Sequence, residues 1–159
     1  MTTPTPEIRH ARFPDELPLV IDIFREYVAS PQADLGYQNY EAEFAALPGK
    51  YAEPRGRLLL AWLNGAVVGC AALRAVDADT CELKRVYVRP AARGLQLGRS
   101  LVEQMQQEAK AAGYQRMALD VLPEFQTAQV LYRQLGFVDA PPVSHNPVPG
   151  TAFLARDLY

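Results

Sequence analysis

Five cations, Lys84, Arg85, Arg89, Arg93 and Arg99, fall in a stretch that contains no carboxylate. Gly94 and Gly98 punctuate the same stretch, and a helical pattern begins at Leu97. The first N–H groups of a helix lack internal partners, and the helix dipole is positive at that end. Glycines let the backbone approach a ligand closely, and Arg93 and Arg99 would add charge-assisted bonds. The chemistry of such a turn is the binding of a phosphate or pyrophosphate. The same residues would also make an ordinary solvated connection with surface arginines. The turn is not a nucleotide-binding P-loop, because no Gly-Lys-Ser/Thr follows. Nor is it a dinucleotide fingerprint, because the strand order builds no parallel βαβ unit around it.

The rest of the chain sets the scale of that feature. It has 159 residues and a formal net charge of −2, with 49% hydrophobic and 21% charged residues. Length and composition are those of a single globular domain spanning residues 1–159, with Met1 to Pro6 frayed. An acidic balance makes any anion site local and argues against nucleic acid as a partner. Cys70 and Cys81 have no metal-ligand spacing, so no metal is expected. No leader is visible, which points to reduced core thiols and a cytoplasmic protein. No apolar run approaches the ~20 residues of a membrane span.

The elements that must position the turn follow from periodicity. "EIRHARF" alternates as a first strand up to Pro14, and Asp15 is a candidate N-cap. Leu17, Val20, Ile21, Phe24 and Val28 follow at helical spacing, and "NYEAEFAAL" suggests a second, shorter helix before Pro48-Gly49. "RLLLAWL" and "AVVGCAALRAV" flank Asn64-Gly65, a type I′ hairpin signal. "CELKRVYV" is another strand, stopped by Arg89-Pro90. Strict alternation along it places Glu82, Lys84, Val86 and Val88 on one face, and Cys81, Leu83, Arg85 and Tyr87 on the other. Leu97, Leu101, Val102, Met105, Ala109 and Ala112 make one face of a long helix ended by Gly113. "QRMALDVL" is a strand. "FQTAQVLYRQLGF" is a helix with Ala128, Leu131 and Leu135 inward and Tyr132 at the edge of its apolar face. A Pro-rich loop, "APPVSHNPVPG", precedes a last strand, "TAFLARDL". The expected class is α+β, a mostly antiparallel mixed sheet with helices on both faces.

"ELKRVYVRPAARGLQLGRSLVEQM", followed by "LYRQLGF", resembles the GNAT family of acetyl-CoA-dependent N-acyltransferases, and the order of elements agrees over most of the chain. The "NPVPG" loop is similar to a subgroup of small bacterial members. The family's pyrophosphate pattern, Arg/Gln-x-x-Gly-x-Gly/Ala, reads here Arg93-Gly94-Leu95-Gln96-Leu97-Gly98. The first and last positions match, and Gln96 stands where the pattern has glycine. The resemblance implies acetyl-CoA as cosubstrate and no metal. Backbone groups of Val86 and Val88, with Tyr87 between them, would line the pantetheine arm. Arg93, Gly94, Leu95, Gln96, Leu97, Gly98, Arg99 and Ser100 would cradle the pyrophosphate.

The implied reaction is direct attack by a primary amine of a small molecule, amino acid or peptide. An alkylammonium with a pKa of about 10.4 is neutral in roughly one molecule in 2,500 at pH 7, a cost of about 4.6 kcal/mol that a base offsets in part. The resemblance assigns Tyr132 as the acid for the leaving thiol and Glu82 as a candidate base, with an ordered water as the alternative. The plainer accounts are a packed tyrosine with a bonded hydroxyl and a glutamate in a salt bridge with Lys84 or Arg85. The oxyanion donor would be the Val86 N–H. Tyr27 and Tyr37, with Tyr40 nearby, fall on or near the helices of the acceptor side. The acidic stretch from Glu41 to Glu53 hints at a cationic acceptor, and "TAFLARDL" at a homodimer contact. His10 and His145 read as structural or solvated. The alternative to catalysis is a non-catalytic acyl-CoA-binding or sensing domain.

Overall fold

Leu58 to Ala61 on one strand and Gly69 to Leu73 on the next are buried on both faces, so this part of the sheet must be covered on both sides. The computed structural model describes residues 5–159 and shows how. Residues 1–4 of the expected frayed end lie outside the described residues. Seven strands form one sheet in the order β1-β2-β3-β4-β5-β7-β6. They are β1 (Glu7–His10), β2 (Arg57–Leu63), β3 (Ala66–Ala75), β4 (Thr80–Val88), β5 (Arg116–Val121), β6 (Val138–Asp139) and β7 (Ala152–Asp157). All pairings are antiparallel except β4 with β5. Helices α1 (Leu17–Ala29) and α2 (Tyr40–Ala45) cover one face; α3 (Leu97–Ala111) and α4 (Gln126–Gln134) cover the other.

Two cores result. Leu97, Leu101, Val102, Met105 and Ala109 of α3 pack with Leu59, Leu73, Leu83 and Met117. Val20, Ile23 and Phe24 of α1 pack with Phe44, Tyr51, Leu60 and Cys70 on the opposite face. Asn64 and Gly65 both have positive φ, 52° and 78°, as a type I′ turn requires. Among the described residues, no helix is long and apolar enough to cross a membrane.

Several local expectations are corrected. The N-cap of α1 is Glu16, not Asp15, and its carboxylate accepts the Arg12 N–H at 2.7 Å. Ile23, rather than Ile21, joins Val20 and Phe24 of α1 in the core. The first strand ends at His10, short of Phe13. In α4 the fully packed residue is Tyr132 itself, while Ala128, Leu131 and Leu135 are only half-buried.

The largest correction concerns β4. Cys70 pairs with Tyr87 and Ala72 pairs with Lys84, so Arg85 and Val86 together oppose Ala71. This is a β-bulge, and Arg85 occupies it at φ 60°. The extra residue shifts the alternation by one. Val86 and Val88 therefore join Cys81 and Leu83 on the α3 side. Arg85 and Tyr87 turn to the α1 side, where Tyr27 lies 6.1 Å from the Tyr87 ring.

Candidate active site

Strands β4 and β5 are joined only from Thr80–Arg116 to Glu82–Ala118 and then part. The bulge bends β4 just beyond that point. A cavity of about 1000 Å³ opens between the strands and runs past the start of α3. Val86, Tyr87, Val88, Arg93, Gly94, Gln96, Leu97, Gly98 and Arg99 line one part of it. Tyr27, Tyr37, Lys84, Asp120 and Asn146 line another, and Tyr132 also lines it. Leu95 is an exposed neighbour on the turn, and Ser100 lies in the first turn of α3.

The turn is built from backbone. Gln96 is the N-cap of α3 and has φ 60°, ψ 24°, the left-handed conformation that glycine adopts most readily. The departure from the glycine pattern therefore changes a side chain, not the course of the chain. The Gln96 side chain is exposed, so it burdens no packing. Its carbonyl accepts the Ser100 N–H and the Ser100 hydroxyl, both at 3.1 Å. That is the first bond of α3, leaving the N–H groups of Leu97, Gly98 and Arg99 without a helical acceptor. Gly94 has φ 91° and nothing within 4 Å of where a Cβ would stand. Arg93 donates from Nε to the Val88 carbonyl at 3.2 Å, and Arg99 donates to Gln134 at 2.7 Å. Both arginines line the same cavity as the start of α3, a donor set that fits a pyrophosphate.

The α1 side is built from side chains. Arg85 is buried and donates from Nε and Nη2 to the Glu43 carboxylate at 3.1 and 3.2 Å, and from Nη1 to Gln38. Its guanidinium also stands 5.4 Å from the Tyr27 ring. Lys50 takes the Glu43 carboxylate at 3.0 Å, and Glu41 is paired with Arg25. The acidic stretch is therefore spent on protein partners, which removes the ground for reading it as a cationic-acceptor site.

Glu82 is held away from the cleft. It is 1% exposed, accepts from Arg74 at 2.7 Å and from the Ser144 hydroxyl at 2.8 Å, and lines no part of the cavity. Two carboxylates do line it, Glu124, which accepts the Gln32 and Ala33 N–H groups, and Asp120. Burial holds the Asp120 carboxyl above the ordinary aspartate range, and the nearby Glu82 charge adds to that, while Lys84 and an Asn146 bond at 3.2 Å act the other way. Burial pushes the Lys84 ammonium down.

Tyr132 packs edge-on against Phe137 at 5.8 Å, and its hydroxyl has no protein hydrogen-bond partner among the described residues. Burial pushes its pKa well up, so the phenol keeps its proton at neutral pH. Burial pushes Tyr27 up to about 12. Tyr37 stacks edge-on with His145 at 6.2 Å, whereas Tyr40 packs on Phe44 in the core.

Asp120 and the loop residues Ser144 and Asn146 were not singled out from the sequence. Asp120 had a signal, as the one charge interrupting the apolar run "MALDVL". The loop residues had none, since only the fold carries them to β4 and β5.

This geometry, a splayed parallel pair, a bulge and a backbone anion turn, defines an acyl-CoA-dependent acyltransferase. The model of the acetyltransferase (GNAT) family matches residues 18–137, and the chain belongs to that family. An uncharacterized N-acetyltransferase from Schizosaccharomyces pombe is 36% identical over 149 residues, covering 90% of this chain and 91% of that one. A GNAT acetyltransferase from Staphylococcus aureus superposes with a TM-score of 0.81 at 20% identity, over 98% of this chain and 100% of that one. The protein yncA from Salmonella typhimurium, solved with its cofactor acetyl-CoA, superposes with a TM-score of 0.68 at 24% identity, over 97% and 94%. The chain is an acetyltransferase, and its cosubstrate is acetyl-CoA.

Proposed function

We propose that this enzyme moves the acetyl group to a primary amine of a small molecule, amino acid or peptide by direct attack. The observation that supports this most is the convergence of Asp120, Tyr132 and the bulge at Arg85-Val86 on one cavity. Acetyl-CoA supplies an activated acyl carbon when bound. The residues from Arg93 to Ser100 bind its pyrophosphate, and backbone groups of Val86 and Val88 line its arm, with the Tyr87 ring turned away to α1.

The chain's own residues then handle protons and charge. Asp120 takes a proton from the ammonium, directly or through a water, and passes it to solvent. Its raised pKa brings it nearer to that task than an ordinary aspartate, and Glu82, locked to Arg74, is left as a structural anchor. The Val86 N–H donates to the thioester oxygen as charge develops there. The C–N bond forms as the C–S bond breaks. Tyr132 donates its proton to the departing sulfur, and the proton shed by the new amide nitrogen restores it. One proton leaves to solvent overall.

A thiol-release assay with acetyl-CoA and a panel of amines tests this. Turnover with at least one amine is expected. CoA binding without turnover across the panel would favour the non-catalytic binding domain instead, a reading that drew on Gln96 and loses that ground to its left-handed backbone.

A further inference from the structure

The last paired residues of β4 and β5 are Glu82 and Ala118. Two positions further along come Lys84 and Asp120, on the same face. In an unbroken parallel ladder they would be neighbours. The strands part there instead, and no ion pair joins the two among the described residues. Both line the cavity, and each still shifts the other's titration.

The charges around them are already paired with one another. Arg74 is matched by Glu82, while Arg85 and Lys50 share Glu43. Lys84 has a side chain only 12% exposed and makes no hydrogen bond among the described residues. Its nearest carboxylate oxygen, on Glu82 at 3.8 Å, is already taken by Arg74 at 2.7 Å. Asp120 receives a bond from Asn146 on one oxygen only. A largely buried ammonium whose one ion pair is long and shared is costly, and the cost is recovered when a ligand brings an anion of its own. An opposed ammonium and carboxylate thus stand apart across a gap that opens to the cavity.

The geometry points to a free amino acid as the acceptor, its carboxylate on Lys84, its amino group on Asp120 and its side chain toward Tyr27 and Tyr37. An α-amino acid carries both charges on one carbon, so a single small molecule bridges the gap. This assignment rests on the acyl-transfer reading above.

The test uses the full chain and acetyl-CoA with the common L-amino acids, each beside its own α-amide, which keeps the amine and loses the anion. At least one amino acid should exceed its amide in kcat/KM by about 30-fold or more, the scale of a buried charge contact. Lys84→Met and Lys84→Gln should abolish the acid-over-amide ratio, whatever they do to both rates through Asp120, and Lys84→Arg should keep most of it. Equal use of acids and amides by the wild type, or an equal fall for both in the Lys84 variants, overturns the assignment. Calorimetry of the N-acetyl derivative of each amino acid with the CoA-loaded protein separates the two readings. Binding that depends on Lys84, with no turnover of any amine, would keep the carboxylate site and sink acyl transfer. Turnover of amines with no carboxylate dependence in either assay would do the reverse.

Discussion

The two ends of the cleft are made in opposite ways. The turn proposed to hold the pyrophosphate is contiguous, Arg93 to Ser100, and its donors are mostly backbone N–H groups at the start of α3. The acceptor end is assembled from α1, the turn at Tyr37, β4, β5 and the loop before β7, and its groups are side chains. A backbone site depends on conformation, so Gln96 can stand for glycine once it adopts the left-handed form. A side-chain site depends on identity and charge balance, and each of its members is exposed to loss by one substitution.

That contrast can be broken or sharpened by mutation. Asp120→Asn should cost the most, about 10²–10⁴-fold in kcat, the range for removing a general base. The same variant should melt higher at neutral pH. The Asp120 pKa is raised in the folded state, so its stabilising contribution is present below the unfolded pKa and is lost as pH rises through the folded one. The melting gap should therefore close as the buffer is made acidic, and wild-type kcat should fall as pH drops through a value above the ordinary aspartate range. A neutral melting temperature lowered by Asp120→Asn would contradict this.

Glu82→Ala should act chiefly on stability, by about 3–5 kcal/mol, because Arg74 is left facing the site it filled. Denaturant unfolding measures this, and a kcat loss as large as that of Asp120→Asn would return Glu82 to the role of base. Tyr132→Phe should lower kcat by about 10–100-fold while CoA affinity holds, since only a proton donor is removed; single-turnover thiol release against CoA calorimetry separates the two. Gln96→Gly should do least. It should relieve up to about 1 kcal/mol of left-handed strain and leave CoA affinity within about threefold. A large loss of CoA affinity would show that the Gln96 side chain, not its backbone, does the binding.

The same contrast explains what the sequence disclosed. The turn was legible because its cations and glycines are neighbours in the chain, and α3, which it opens, follows a plain 3.6-residue period. The hairpin at Asn64-Gly65 was legible for the same local reason. The bulge was not, because one inserted residue leaves no mark on the pattern "CELKRVYV" beyond a charge at Arg85. Missing it reversed the faces of Val86 and Val88. The acceptor end was hidden further, since Lys84, Asp120 and Asn146 come from three segments that only the fold brings together. Tyr132 was found by resemblance, yet its depth within α4 came from packing on Phe137 rather than from periodicity.

The Arg85 bulge also bears on how this enzyme could be redesigned. Its guanidinium is clamped by Gln38 and Glu43, on the segment that walls the proposed acceptor end, while its backbone sets the direction of Val86, the proposed oxyanion donor. Transplanting residues 36–45 from a relative would therefore retune the oxyanion donor along with substrate choice. The segment and Arg85 are best exchanged as one module, and libraries that vary the acceptor wall alone should yield mostly enzymes slow on every substrate.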